Sequence, residues 1–101
     1  MLILRTLILG PAHGHAIGKH IQRSSDDVLQ VETGSLYPAL RRLERDGLIE
    51  ANWKKSPERN RELRYYSLTP AGRKHLRAEE ARWKELFAAV GRVMWPAEET
   101  N

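Results

Sequence analysis

The sequence predicts a mostly α, α+β fold: a winged helix-turn-helix that carries a long C-terminal dimerisation helix. Three observations predict it. Between Thr33 and Gly47, Leu36, Leu40 and Leu43 stand at i, i+4 and i+7, opposite Arg41, Arg42 and Arg45, the pattern of a short amphipathic helix. Two stretches of strand-like residues follow, around Ile49–Trp53 and Leu63–Leu68, joined by a basic loop, which reads as a hairpin. Beyond them Leu76, Trp83 and Val90 recur at a spacing of seven, the repeat of a coiled-coil seam.

Taken in order, the chain opens on Leu2–Leu9, apolar nearly all round a helix and stopped by Gly10-Pro11. Such a helix has to be covered on more than one side, and a partner subunit is the expected second cover, with Leu4, Leu7 and Ile8 as its contacts. His13–Arg23 reads as a second helix with Ala16, Ile17 and Ile21 inward and Lys19, Gln22 and Arg23 outward. Ser24–Asp27 is a polar turn, and Val28, Leu29 and Val31 are expected to form a short strand.

The arginine-faced helix starts at a cap supplied by Thr33 or Ser35 and stops at Gly47, which adopts a left-handed conformation cheaply. Pro38 has no N–H and fits best in a first turn. With Ser35 as cap it costs nothing; with Thr33 as cap it removes one helical bond. Ile49, Ala51 and Trp53 then alternate with polar residues as a half-buried strand, Lys54–Arg61 is a polar loop, and Tyr66 and Leu68 face the core from the second strand. Thr69-Pro70 marks the start of the last helix, which runs to about Met94 and ends before Pro96. The domain division is residues 1–69 for the winged helix-turn-helix, 70–95 for the dimerisation helix and 96–101 for a frayed tail.

The totals narrow the function. At 101 residues, 41% hydrophobic and 30% charged, the chain is one ordinary domain with a modest core, and oligomerisation is a natural source of extra burial. It has no cysteine, hence no disulfide and no thiolate ligand, which fits the reducing cytoplasm. No segment is long and apolar enough to span a membrane. The net charge of +4 is uneven: Arg41–Arg77 holds eleven basic and five acidic residues, leaving six basic and eight acidic elsewhere. A local basic surplus points to a polyanionic partner.

Arg41, Arg42 and Arg45, with Ser35, Tyr37 and Pro38 on the same helix, are the candidates to meet a DNA major groove, because arginine bonds guanine in bidentate fashion. Lys54, Lys55, Arg59, Asn60, Arg61 and Arg64 suit a wing that grips the phosphate backbone. Either cluster alone reads equally as a solvated face; together, in helix-turn-helix order, they favour DNA. Tyr37 either touches a phosphate or packs between two helices, and both readings stay open. On the last helix Leu76, Trp83, Phe87, Val90 and Met94 are expected to pack in a dimer. Trp83 is a better candidate than Trp95 for an aromatic wall against a flat, apolar ligand.

His13, His15, His20 and His75 lack the spacing of a metal site and read more simply as surface or capping residues. No metal or other cofactor is expected. No nucleophile–base ordering, phosphate loop or paired carboxylate suggests an enzyme. Two alternatives stay open: a winged helix that binds an acidic protein, and a metal- or proton-sensing regulator that uses the histidines.

The sequence also resembles the PadR family of transcriptional regulators, in its short subgroup with a single C-terminal helix. The resemblance rests on Leu7–Ile17 (LILGPAHGHAI), Gly34–Glu44 (GSLYPALRRLE), Gly47-Leu48-Ile49 and Arg64–Gly72 (RYYSLTPAG). It implies a homodimeric DNA-binding protein, usually a repressor acting at a palindromic operator, often responsive to phenolic or planar aromatic compounds. Two departures stand out. Family members usually begin the first helix several residues earlier, with a segment before Leu2, whereas this chain opens at Met1, so a misassigned or a shortened start is expected. They also often carry an aromatic residue where His15 stands.

Overall fold

In the computed structural model, residues 1–97 are described. Their order is α1 (Leu2–Leu7), β1 (Ala12–His13), α2 (Gly14–Ser24), α3 (Thr33–Arg45), β2 (Ile49–Ser56), β3 (Arg61–Leu68) and α4 (Pro70–Met94). The strands form one antiparallel sheet in the order β1-β3-β2. Ile49 opposes Leu68 at the base of the β2–β3 hairpin and Ser56 opposes Arg61 at its tip, while β1 lies along the other edge of β3, with His13 opposite Tyr65. This is the winged helix that the sequence predicts.

The core lies where α1, α2 and α3 cover the base of the hairpin. Leu4, Leu7, Ile17, Leu36, Leu40, Ile49, Tyr66 and Leu76 meet there. Tyr66 keeps its phenol protonated, because burial pushes its pKa above the ordinary value despite the nearby Arg64 guanidinium.

Several expectations change at this level. Leu4, Leu7 and Leu76 are 1%, 2% and 2% exposed within the single chain. They hold the protomer together, and a second copy cannot reach them. α1 ends at Leu7 rather than Leu9, and the apolar side chains left open are Leu2 at its start and Ile8 and Leu9 just past its end. No strand forms at Val28–Val31. The backbone there goes into turn bonds instead, with the Val28 N–H donating to the Ser25 carbonyl and the Leu29 N–H to Ser25 Oγ. Val28 is left 79% exposed.

The third strand comes from Ala12-His13, which pairs with β3. The supposed loop is shorter than expected, because Lys54, Lys55 and Ser56 belong to β2 and Arg61 to β3. Trp53 is not half-buried but 65% exposed, since the helices cover only the base of the hairpin and the wing extends past them.

The helix ends follow local chemistry. Neither Thr33 nor Ser35 caps α3: its N-cap is Glu32, without a side-chain bond, and Pro38 stands inside the helix. The Gly34 carbonyl therefore loses its helical donor, at a solvent-exposed position. Gly47 stops α3 at φ 74°. The Leu48 N–H reaches back to the Leu43 carbonyl and the Gly47 N–H to the Glu44 carbonyl, a Schellman closure.

Thr69 then caps α4, accepting from the Gly72 N–H at 3.0 Å while its hydroxyl donates to the Gly47 carbonyl at 2.6 Å. One side chain thus ties the end of α3 to the start of α4. Past Leu76 no residue of α4 is buried. Pro96 and Ala97 follow in coil, and the rest of the expected frayed tail, 98–101, lies outside the described residues. Among the described residues no helix is long and apolar enough to cross a membrane.

Candidate nucleic-acid interface

α3 is anchored by Leu36 and Leu40, which are buried, and by Leu43, partly buried against the same core. That anchoring fixes the opposite face, where Arg41, Arg42 and Arg45 are exposed and share one open groove with Pro38. Arg45 lies 3.6 Å from Asp46, with both side chains mostly in solvent, a contact that water and salt weaken. Ser35 is also exposed, at the start of the same helix.

Tyr37 serves packing. A Cβ added to Gly14 would lie 2.7 Å from its ring, so the aromatic ring rests on the first turn of α2 where only glycine leaves room. Its edge remains exposed. The ring therefore locks α3 to α2 and still reaches the surface.

In the wing, Lys54 stands 5.4 Å over the Tyr65 ring, which steadies its stem while leaving its charge available. Lys55, Arg59, Asn60 and Arg61 are exposed around the hairpin tip. The tip has its own order: Asn60 turns the chain at φ 51°, and its N–H donates to the Ser56 carbonyl while the Arg59 N–H donates to buried Ser56 Oγ. Arg64 differs from the others. Its guanidinium bonds Glu44 of α3 at 2.6 Å, so it joins the wing to α3 and is the least available of the expected wing cations.

A further row, one imidazole and two cations, borders this surface and was not assigned to it from the sequence. His15, Lys19 and Arg23 recur every fourth residue along α2, and they line a cleft with Arg59 of the wing tip. The i, i+4, i+8 spacing was the available signal; their approach to Arg59 was not legible before the fold was known. His13 does a different job. Its Nδ1 accepts from the Ala16 N–H at 3.2 Å and caps α2, which requires an unprotonated nitrogen. Burial holds its pKa below the ordinary value, helped by Arg59 and His15 and opposed by Glu58. Among the described residues no three potential metal ligands come together.

A second surface lies on distal α4. Trp83 and Phe87 stack at 5.0 Å with a 47° tilt, and Leu86, Val90, Val93 and Met94 are exposed beside them. Trp83 and Leu86 also border a shallow, open groove with Arg82 and Glu79.

Comparison with known proteins places this geometry among its relatives. Residues 3–78 match the model of the transcriptional regulator PadR-like family. A transcriptional regulator from Clostridium thermocellum is 27% identical in sequence, with a TM-score of 0.81 over 90% of this chain and 87% of that one. A PadR family transcriptional regulator from Eggerthella lenta is 33% identical, with a TM-score of 0.73 over 99% of this chain and 83% of that one. An uncharacterised 37.1 kDa protein of transposon TN4556 from Streptomyces fradiae is 42% identical over 79 residues, 78% of this chain. The chain spans only 21% of that protein's length.

Proposed function

Because the chain belongs to the PadR-like family of transcriptional regulators, which bind DNA, we propose that it acts as a homodimeric repressor at a palindromic operator, where chromosomal DNA is found. The observation that carries this reading is one surface that presents exposed Arg41, Arg42 and Arg45 on an anchored helix beside a basic wing. In this reading α3 enters the major groove and its arginines meet base edges, while Lys54, Lys55, Arg59, Asn60 and Arg61 hold phosphates. Arg64 steadies α3 through Glu44. Dimerisation through α1 and distal α4 is supported by the solvent-facing Leu2, Ile8, Trp83, Phe87, Val90 and Met94.

The test is selection of bound sites from random duplex DNA with purified protein. Enrichment of one inverted repeat is the expected result. A set of bound sequences with no shared motif would contradict sequence-specific regulation and favour a protein-binding use of the domain.

Release by a flat aromatic ligand is the finer part of this proposal. It is supported by the Trp83–Phe87 pair on the α4 surface. Such a ligand lowers operator affinity only if it favours a dimer geometry that fits the operator less well. A binding compound should therefore quench tryptophan fluorescence and weaken operator binding together. If no member of a broad aromatic panel does either, repression without an effector remains the account.

A further inference from the structure

A small cavity of about 130 Å³ lies where the first turn of α2, Tyr37 of α3 and the wing converge. It has room for about four waters, and one tetrahedral phosphate fits the same space. Arg59, Arg61 and Arg64 line it from the wing, and His13 and His15 from the α2 side. His13, His15 and Arg59 also border the adjoining α2 cleft, which continues past Lys19 to Arg23.

The roles of these side chains differ. Arg64 is engaged by Glu44, and His13 holds the α2 cap through Nδ1. Among the described residues no carboxylate lies within ion-pair distance of Arg59 or Arg61. The acidic residue bordering the α2 cleft is Glu58. The wing and the first turn of α2 have thus brought three guanidinium groups and two imidazoles around one small space that Tyr37 of α3 closes and that admits a single anionic group.

We infer that this junction holds one backbone phosphate of the bound duplex, with Arg59 as its fixed cation and His15 as a cation that becomes charged when the phosphate arrives. The inference rests on the DNA-binding reading above and deepens it. A phosphate favours the protonated imidazole, so DNA binding takes up a proton at each copy of the site. Other groups facing His15 set the balance. Lys19, Arg23, Arg59 and Glu58 are the charged groups that border the same cleft, while His13 stays neutral as the cap and His20 bonds Ser24 at 3.3 Å. Tyr37 and Tyr66 line the cavity as neutral phenols. The backbone-reading surface therefore extends from the wing onto α2, and its grip strengthens as the pH falls.

Arg59 and His15 are exposed and lie outside the core, but both act on the neighbouring cap residue His13, so His13→Asn, which still caps α2 and does not titrate, is carried as the control. Arg59→Gln and His15→Gln are compared with the wild-type protein in operator binding at several salt concentrations, at about pH 8 and about pH 6. Arg59→Gln should lower the slope of log affinity against log salt by about one unit per site and leave base preference unchanged. Wild-type affinity should rise toward the lower pH, by at most about tenfold per pH unit for each proton taken up. His15→Gln should remove that rise.

If both variants keep the wild-type slope and pH response while Arg41→Ala still loses base preference, the site is wrong and the DNA-binding reading stands. If the wild-type protein binds no duplex at all, both fall. Inorganic phosphate is the other source of the same chemistry. If it competes in a way that Arg59→Gln abolishes, with no change in the duplex salt slope, the site belongs to free phosphate and the inference is overturned.

Discussion

Two residues at helix ends show how single side chains hold this domain together. His13 caps α2 only when its Nδ1 is unprotonated, and its pKa lies below the ordinary 6.5. The unfolded chain therefore binds a proton in a range where the folded chain does not. Stability from this cap is fully present above the unfolded pKa and is lost as pH falls through the lower folded one. We expect the thermal midpoint to fall between about pH 7 and about pH 5, and His13→Asn, which can still cap but does not titrate, to flatten part of that fall. An identical pH profile in the variant would contradict the assignment.

Gly72 presents the opposite case, in which a missing side chain matters. A Cβ there would overlap the Leu48 carbonyl oxygen, where α4 crosses the end of α3. Gly72→Ala should cost about 1–3 kcal/mol through overpacking, despite alanine's better helix propensity. Denaturant unfolding measures it, and a neutral or stabilising result would mean that the crossing is loose.

At the scale of elements, what was legible in the sequence was what depends on neighbours along the chain. The Leu36/Leu40 keel and the Gly47 stop of α3 follow from local periodicity and capping, and so does the Thr69-Pro70 start of α4. Elements set by tertiary pairing were not. A two-residue strand such as Ala12-His13 carries no periodicity, and it exists because β3 offers it an edge. Val28 and Leu29 have strand-forming side chains, yet Asp26 and Asp27 turn the chain at φ 52° and 65° and their segment meets no sheet.

The heptad positions of α4 divide between core and surface. Leu76 obeys the repeat, but α4 still crosses α1 and β3 at that point, so the protomer uses it and the exposed seam starts at Trp83. In the candidate site, α3 and the wing were readable from charge and order. The Arg64–Glu44 bond and the α2 cations beside Arg59 depend on long-range contacts that spacing alone does not specify.

For the whole molecule, shape carries the argument for a partner. A compact domain of this length has a radius of gyration near 13 Å, against 16.9 Å here, with a longest extent of 64 Å. The excess is α4, whose distal half stands clear of the domain with Trp83, Leu86, Phe87, Val90, Val93 and Met94 in solvent. Burying side chains of this size contributes roughly 1.5–3 kcal/mol each when complete, so a second copy seated on this face, as proposed, would add several kcal/mol. Trp83→Glu or Val90→Glu would bury an unpaired charge in that contact and should convert dimer to folded monomer in light scattering. A stable, folded wild-type monomer at micromolar concentration would contradict the dimer.

Binding to a panel of single-base operator variants at several salt concentrations tests the proposed division of labour between α3 and the wing. Replacing Arg41 or Arg45 with alanine should cost about 1–3 kcal/mol and relax preference at one base pair in each half-site, the half-sites lying about one or two helical turns apart. Replacing Lys55 or Arg61 should weaken all sequences alike and lower the salt slope by about one unit for each phosphate no longer neutralised. The contradicting result is the reverse: helix variants that lose affinity evenly over every sequence, and wing variants that change which base is preferred.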